Sequence, residues 1–387
     1  MEHEHTPAKK SPLAPALEFL RRNARMCIVA LVFFLAVITI VFVALAGGNP
    51  LYRLRQIFGG RDYGTIRFDD HTSNGYAAFD DGLAVGTISG LFTYDLQNQE
   101  TNLAQNAMSV PQLRTGGGTV LACDIGGSAV CAIDAEAGTV LNERLDGTLL
   151  DGDVSDGGAL CYAVSTSGTK TLLTVLDPEH HEIYHWYSET AFFNQCAVSQ
   201  TGSHLVGISL GQQNGAFDST AVIFSTTQEE PLASLSLGSD YFLDLDFTGS
   251  NSLCAIGESG TRCFTLGGEL LGSYDYSDTY LTHYDTGGDG FIALATNKNR
   301  AGGQFQLTTL DTSGKELASI QISAQILDIS AAGNYLAVLS TDGLVIYNAR
   351  LKVCAQTADT NSAKQVAARS NGTALLIGSG EATLFIG

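Results

Sequence analysis

Tryptophan occurs once in the 387 residues, at Trp186, and methionine and proline only three and seven times. Basic side chains are also few, with 20 Lys and Arg against 40 Asp and Glu, and charged residues together make up 16% of the chain. The acidic bias grows away from the N-terminus. Residues 1–47 hold five basic side chains (Lys9, Lys10, Arg21, Arg22, Arg25) and three acidic ones (Glu2, Glu4, Glu18), which leaves 15 basic against 37 acidic beyond them. Such a surface repels phosphate backbones and anionic headgroups, so nucleic acid is excluded as a partner. Low charge combined with 43 glycines and frequent Thr, Ser, Tyr and Val favours many short strands joined by tight turns. The length suits two average domains or one large all-β domain.

One stretch lacks charge altogether. Residues 27–46, CIVALVFFLAVITIVFVALA, are apolar on every face, and as a helix would span about 30 Å, the thickness of a bilayer core. The pattern predicts a transmembrane helix over 26–47, a signal anchor behind a short cytoplasmic tail (1–25). Arg21, Arg22 and Arg25 abut the apolar run on the cytoplasmic side, although Arg53, Arg55 and Arg61 beyond it weaken the asymmetry. Ala44-Leu45-Ala46 resembles a signal-peptidase site, so a cleaved signal peptide is the rival reading. Residues 48–61 read as a linker and 62–387 as an extracytoplasmic domain.

That domain repeats itself. DISAAGNYLAVLSTDGLVIYN (328–348) is a turn, an apolar strand, a tight turn and another strand. The same grammar recurs from 153, 197, 246 and 284, and more loosely from 79, 113 and 368. The turn positions Gly82, Gly118, Gly158, Gly202, Asn251, Asp289, Gly333 and Gly372 lie 36 to 49 residues apart. A period near 40–45 residues, four strands long, predicts a β-propeller of eight blades, with seven as the alternative. Gly, Asn or Asp at the turn suits a positive φ. The last unit, 367–387, ends before an outer strand can form, while YGTIRFDD (63–70) is a strand without a blade. The two are expected to pair and close the ring.

CAIDAEAGTVLNERL (131–145) resembles the blade motif of quinoprotein-type propellers, in which a strand runs into Asp, a short turn and Gly-x-Val-Leu. WD-repeat proteins share the period, but their Gly-His and Trp-Asp dipeptides are missing. The layout resembles an uncharacterised family of bacterial single-pass membrane proteins with an extracytoplasmic propeller, over nearly the whole chain. Redox quinoproteins dock their blades with repeated tryptophans. With Trp186 alone, the resemblance implies the fold and no quinone cofactor.

Three short motifs invite catalysis or metal binding. His181-Glu182-Ile183-Tyr184-His185 matches the zinc-protease pattern H-E-x-x-H, whose histidines share one ion only on a helix. The repeat places Asp177 to His180 at a turn and 181–185 on an outer strand. There, residues four apart lie about 13 Å apart. A helix starting at Pro178, with His204 or Glu189 as a third ligand, is the remaining zinc arrangement. Gly207-Ile-Ser209-Leu-Gly211 satisfies G-x-S-x-G, but Ser209 ends an apolar strand before a polar loop and not a strand-to-helix turn. In DGDVSDGG (151–158), Asp151, Asp153 and Asp156 lack the spacing and the closing Glu of a calcium loop. Asp153 aligns with Asp246 and Asp328, as a repeat residue bonding turn amides.

Of eight cysteines, Cys27 falls in the apolar run, and the seven beyond it cannot all pair within one chain. Cys123 and Cys131 flank a turn and are candidates to face each other. Cys161, Cys196 and Cys254 read as small buried thiols. No catalytic, cofactor-binding or metal-binding residue is assigned. The function expected is that of an interaction or scaffold module for an envelope or membrane protein. The alternative is a propeller lyase or hydrolase, or a ligand-binding protein, with its site at the central channel. Sensing across the membrane fits poorly with so short a tail.

Overall fold

The computed structural model describes residues 33–35, 37, 64–213, 215–299 and 303–387. The chain divides into two units, Met1–Leu51 and Tyr52–Gly387. In the first, Phe33–Leu35 and Val37 are helical and exposed. The tail, the linker and most of the expected transmembrane segment lie outside the described residues, among which no helix is long and apolar enough to cross a membrane.

In the second unit, the described residues form 32 strands in eight four-stranded antiparallel sheets. Each of the first seven blades uses four consecutive strands: residues 75–105, 111–144, 148–188, 192–238, 242–275, 280–322 and 326–357. Blade 8 takes three strands from the C-terminus (365–385) and its outer strand, Ile66–Arg67, from the start of the domain. Ile66 pairs with Ala382 and Arg67 with Glu381, and the Phe68 amide donates to the Gly380 carbonyl at 3.1 Å. The expected closure is therefore present, and the count is eight.

The period of four strands follows from where apolar surface has to go. Second strands such as Gly82–Thr87, Thr119–Asp124 and Phe291–Asn297 are buried at every position, because each sheet is covered on both faces. Outer strands such as Leu270–Asp275 alternate half-buried with exposed positions. The core is correspondingly eight layers, one between each pair of neighbouring blades. Phe79, Ala84 and Leu91 of blade 1 meet Val120, Ala122 and Ile133 of blade 2. Across the closure, Ile66 and Leu375 of blade 8 meet Leu83 and Val85 of blade 1. Trp186 packs between blades 3 and 4, its ring 4.8 Å from that of Phe224 and 5.8 Å from that of Phe193.

The turns from inner to second strand lie at one end of the ring, here face A. The turns from second to third strand and the links between blades lie at the other, face B. At face A, Gly118, Gly158, Gly202, Gly333 and Gly372 adopt positive φ as expected. Gly82 and Asn251 do not. In blade 6 the role falls to Gly290 (φ 73°) and not Asp289, and in blade 1 Asp80 (φ 49°) takes it. These turns differ in length, so one aligned column cannot describe all eight.

The cysteines correct the sequence reading. Cys254 is not a free thiol. It is disulfide-bonded to Cys263, directly opposite it on the neighbouring strand. Cys123 and Cys131 do not face each other: Cys123 opposes Val130 and Cys131 opposes Ala122. This offset of one residue sends the two thiols to opposite faces of blade 2. Cys161 and Cys196 remain buried thiols, with sulfurs 3.6 Å apart between blades 3 and 4.

Candidate functional site

The inner strands surround a central channel that widens at face A into a cavity of about 1190 Å³. Carboxylates line this cavity, Asp153 from blade 3, Asp244 and Asp246 from blade 5, Asp285 from blade 6 and Asp328 from blade 7, and Asp151, two residues before Asp153 on the same inner strand, is buried. The acids recur because inner-strand residues two apart point the same way, and the repeat sets the same register in several blades. Asp153, Asp246, Asp285 and Asp328 each stand five positions before residue 158, 251, 290 or 333 of the following turn. Two arginines line the cavity: Arg369 pairs with Asp81 at its face A mouth, and the other lies among these acids. Arg114, on the inner strand of blade 2, reaches to blade 5, three blades round the ring, and donates to Asp244 Oδ1 at 2.6 Å.

Most of these carboxylates bond the ring together. The Cys196 amide of blade 4 donates to Asp151 Oδ2 at 2.7 Å, and the Val198 amide to Asp153 Oδ2 at 3.0 Å. Between blades 7 and 8, the Val366 amide donates to Asp328 Oδ2 at 2.8 Å, and the Ala368 amide to Ser330 Oγ at 3.0 Å. Asp153 and Asp328 therefore bond inner-strand amides of the next blade and not turn amides as the sequence suggested. The repeat aligned them correctly, but the partner lies about 40 residues away. One atom stands apart: Asp244 Oδ2 is buried and has no hydrogen-bond partner.

Burial dominates the acidity of the channel. It pushes Asp151 up to about 7, with Arg114 and the Cys196 amide pulling the other way. Asp153 rises to about 6, Asp285 to about 6 and Asp328 to about 7 for the same reason, and Asp246 is also raised. Unfolded aspartates titrate near 3.9. From about pH 4 to 7 the folded chain therefore binds more protons than the unfolded one, and its stability falls as pH rises through that window. His204 and His283, lowered by burial, act in the opposite sense as pH falls through about 6.5, but they are two groups against five. Asp134, Asp275 and Asp311 are lowered, so their contribution is lost only below about pH 4. The expected result is a higher Tm at pH 5.5 than at pH 8. A melting profile that is flat, or that rises with pH, would count against the buried-carboxylate ring.

The short motifs fall on strands and turns. Asp177 to His180 form a turn, with His180 at φ 65°, and Glu182–Ser188 is the outer strand of blade 3. His181 lies beside Asp177 at 3.6 Å, and His185 Nδ1 beside Glu182 Oε1 at 3.0 Å, all in solvent-facing positions. The helix that would bring the two imidazoles onto one ion does not form. Glu182→Gln is expected to leave stability within about 0.5 kcal/mol, as for an exposed surface position. Zinc retained in stoichiometric amount and lost on His181→Ala with His185→Ala would contradict this. Ser209 lies inside the second strand of blade 4, His204–Gln213, and its hydroxyl reaches the Thr220 carbonyl at 3.4 Å. The polar loop expected after it is instead strand on both sides of residue 214. Asp156 is exposed at the turn after the inner strand, in the cavity that Asp153 also lines.

Arg114, Asp244 and Asp285 were missed in the sequence. Only Asp285 carried a legible signal, because alignment on Gly290 puts it in register with Asp153, Asp246 and Asp328.

This is the construction of an eight-bladed β-propeller with a stapled acidic channel. The chain belongs to the family of unknown function DUF5711, which matches residues 62–382. Among solved structures it is similar to BamB from Moraxella catarrhalis, with 14% identity, 83% of this chain and 95% of that chain covered, and a TM-score of 0.50. It is also similar to the Dos1 propeller, with 12% identity, 83% and 94% covered, and a TM-score of 0.54. At these identities the likeness is one of fold. No curated protein matches the sequence.

Proposed function

We propose that the protein is an extracytoplasmic interaction module, anchored by residues 27–46, which holds an envelope protein partner on its propeller. The observation that carries this reading is the use of the channel's polar groups. An active site needs groups aimed at a substrate, whereas here Asp151, Asp153 and Asp328 bond the amides of the next blade. The likeness in fold to BamB supports a scaffold role, and the Cys254–Cys263 disulfide suits an oxidising compartment. In the test, full-length protein is cross-linked in cells and the products are identified. A defined membrane or envelope protein in near-stoichiometric amount is expected, and cross-linking to no protein would overturn the reading. External protease on cells with permeabilised walls is expected to degrade the propeller and spare the N-terminal tail. A mature N-terminus at Gly47 would remove the retained anchor.

A second reading rests on Asp244 Oδ2. A buried acceptor without a donor, in a cavity lined by nine aspartates and two arginines, favours a small organic cation as ligand. Saturable binding of such a cation, lost in Asp244→Asn, would support that reading.

A further inference from the structure

Exposed large apolar side chains are distributed unevenly over the propeller. Those on outer strands, such as Leu103, Tyr187 and Val353, are spread around the rim. In the turns and links and at the first residues of strands, Ile88, Val110, Phe192, Phe217 and Tyr280 lie at face B, and Leu232, Leu270 and Val353 at face A. Of these, only Phe192 and Phe217 share a blade at one face, and neighbouring exposed apolar groups mark an interaction surface. Gly64, the first described residue of the propeller, lies at the opposite face, against the Leu96 carbonyl in a face A turn.

Blade 4 shapes this face. Its second and third strands, His204–Gln213 and Ala216–Ser225, are ten residues each, against four to seven in the other blades. The flanking strands stop earlier: the inner strand ends at Phe192 opposite Leu210, and the outer strand at Gly238 opposite Ser219. The pairs Gly211↔Asp218, Gln212↔Phe217 and Gln213↔Ala216 therefore continue as a two-stranded ribbon, about 10 Å beyond the blade. Neither edge of this ribbon is paired within its sheet. Phe217 on it is 58% exposed, and Phe192, 46% exposed, stands at its foot with Lys170 5.4 Å from its ring.

We propose that this ribbon docks an extended segment of a protein partner by strand addition, with Phe217 and Phe192 as apolar anchors. The proposal rests on the scaffold reading above and names the recognition element. Unpaired ribbon edges present backbone donors and acceptors that an incoming strand satisfies, and alternate side chains of that strand then meet the aromatic rings. Charge sets the rest of the partner's chemistry. Glu189 stands three residues before Phe192 and Asp218 next to Phe217, Asp146 and Asp278 are exposed in blade links of the same face, which also carries Lys298 and Lys364, and Lys170 already donates to the Thr190 carbonyl at 2.9 Å. The segment that fits is apolar at alternate positions and flanked by Lys or Arg. The same acids repel an anionic membrane surface.

The probe is a displayed library of short random peptides, selected against full-length protein reconstituted in its membrane form. Selected sequences are expected to alternate apolar residues and carry basic flanks. Phe217→Ser should weaken their binding about tenfold, as truncation of an aromatic anchor does. Tyr187→Ser, on the exposed rim of blade 3, should leave binding unchanged, and melting curves of both variants should match the parent. Peptides N-methylated at alternate backbone positions should fail to bind, since strand addition uses those amides. Binding indifferent to Phe217→Ser, or to N-methylation, would overturn the ribbon assignment and leave the scaffold reading standing. Binding of anionic vesicles through Phe217 would overturn the protein-partner assignment.

Discussion

Deletion of residues 62–70 is expected to lower the Tm of the propeller by many degrees or to cause aggregation. The segment supplies the outer strand of blade 8 and, with it, the only strand pairing among the described residues that ties the start of the domain to its end. Ile66 is 1% exposed and packs in the layer with Leu83, Val85, Leu375 and Ile377. Its loss opens a cavity between blades 8 and 1, and Ile66→Ala alone should cost about 2–5 kcal/mol. The deletion adds two further losses. It bares the edge of Glu381–Phe385, whose unpaired amides and carbonyls template association with other chains. It also removes the Arg67 amide bond to Asn98 Oδ1 (2.7 Å), which ties the closing strand to blade 1. Thermal melts with size-exclusion chromatography provide the measurement. A deletion variant as stable and monomeric as the parent would show that the ring does not depend on this closure.

Arg114→Met should be the most damaging single substitution in the channel, at about 3–5 kcal/mol, because it leaves a buried carboxylate unpaired. Asp244 is 2% exposed, and its Oδ1 holds only the Arg114 guanidinium and the Leu245 amide. Two controls separate charge from packing. Adding Asp244→Asn in the Arg114→Met background should restore much of the loss, since a neutral amide needs no counter-ion. The loss should also be larger at pH 8 than at pH 5.5, where the channel aspartates take up protons. Asp151 and Asp153 also feel Arg114, so its removal raises their proton affinity further. Equal destabilisation at both pH values, with no rescue by Asp244→Asn, would mean that Arg114 acts through its aliphatic stem alone.

The sequence by itself determined the local and the repeated. Runs such as Leu336-Ala337-Val338-Leu339 mark strands buried on both faces, and the spacing of turn glycines counts eight blades, because each blade meets the same packing problem. It also led to the expectation that the strand-like segment 63–70 pairs with the C-terminal unit, which the structure shows for Ile66–Arg67. What it left open depends on which distant residues meet. The register that sends Cys123 and Cys131 to opposite faces, and sets Cys254 against Cys263, is a matter of one residue in strand pairing. The Arg114–Asp244 pair joins residues 130 positions apart, on blades three steps round the ring. Nothing local distinguishes Arg114 from any other arginine on a half-exposed strand. Only closure of the ring brings the inner strands onto one axis, and there burial turns isolated repeat aspartates into a single acidic channel that Arg114 spans.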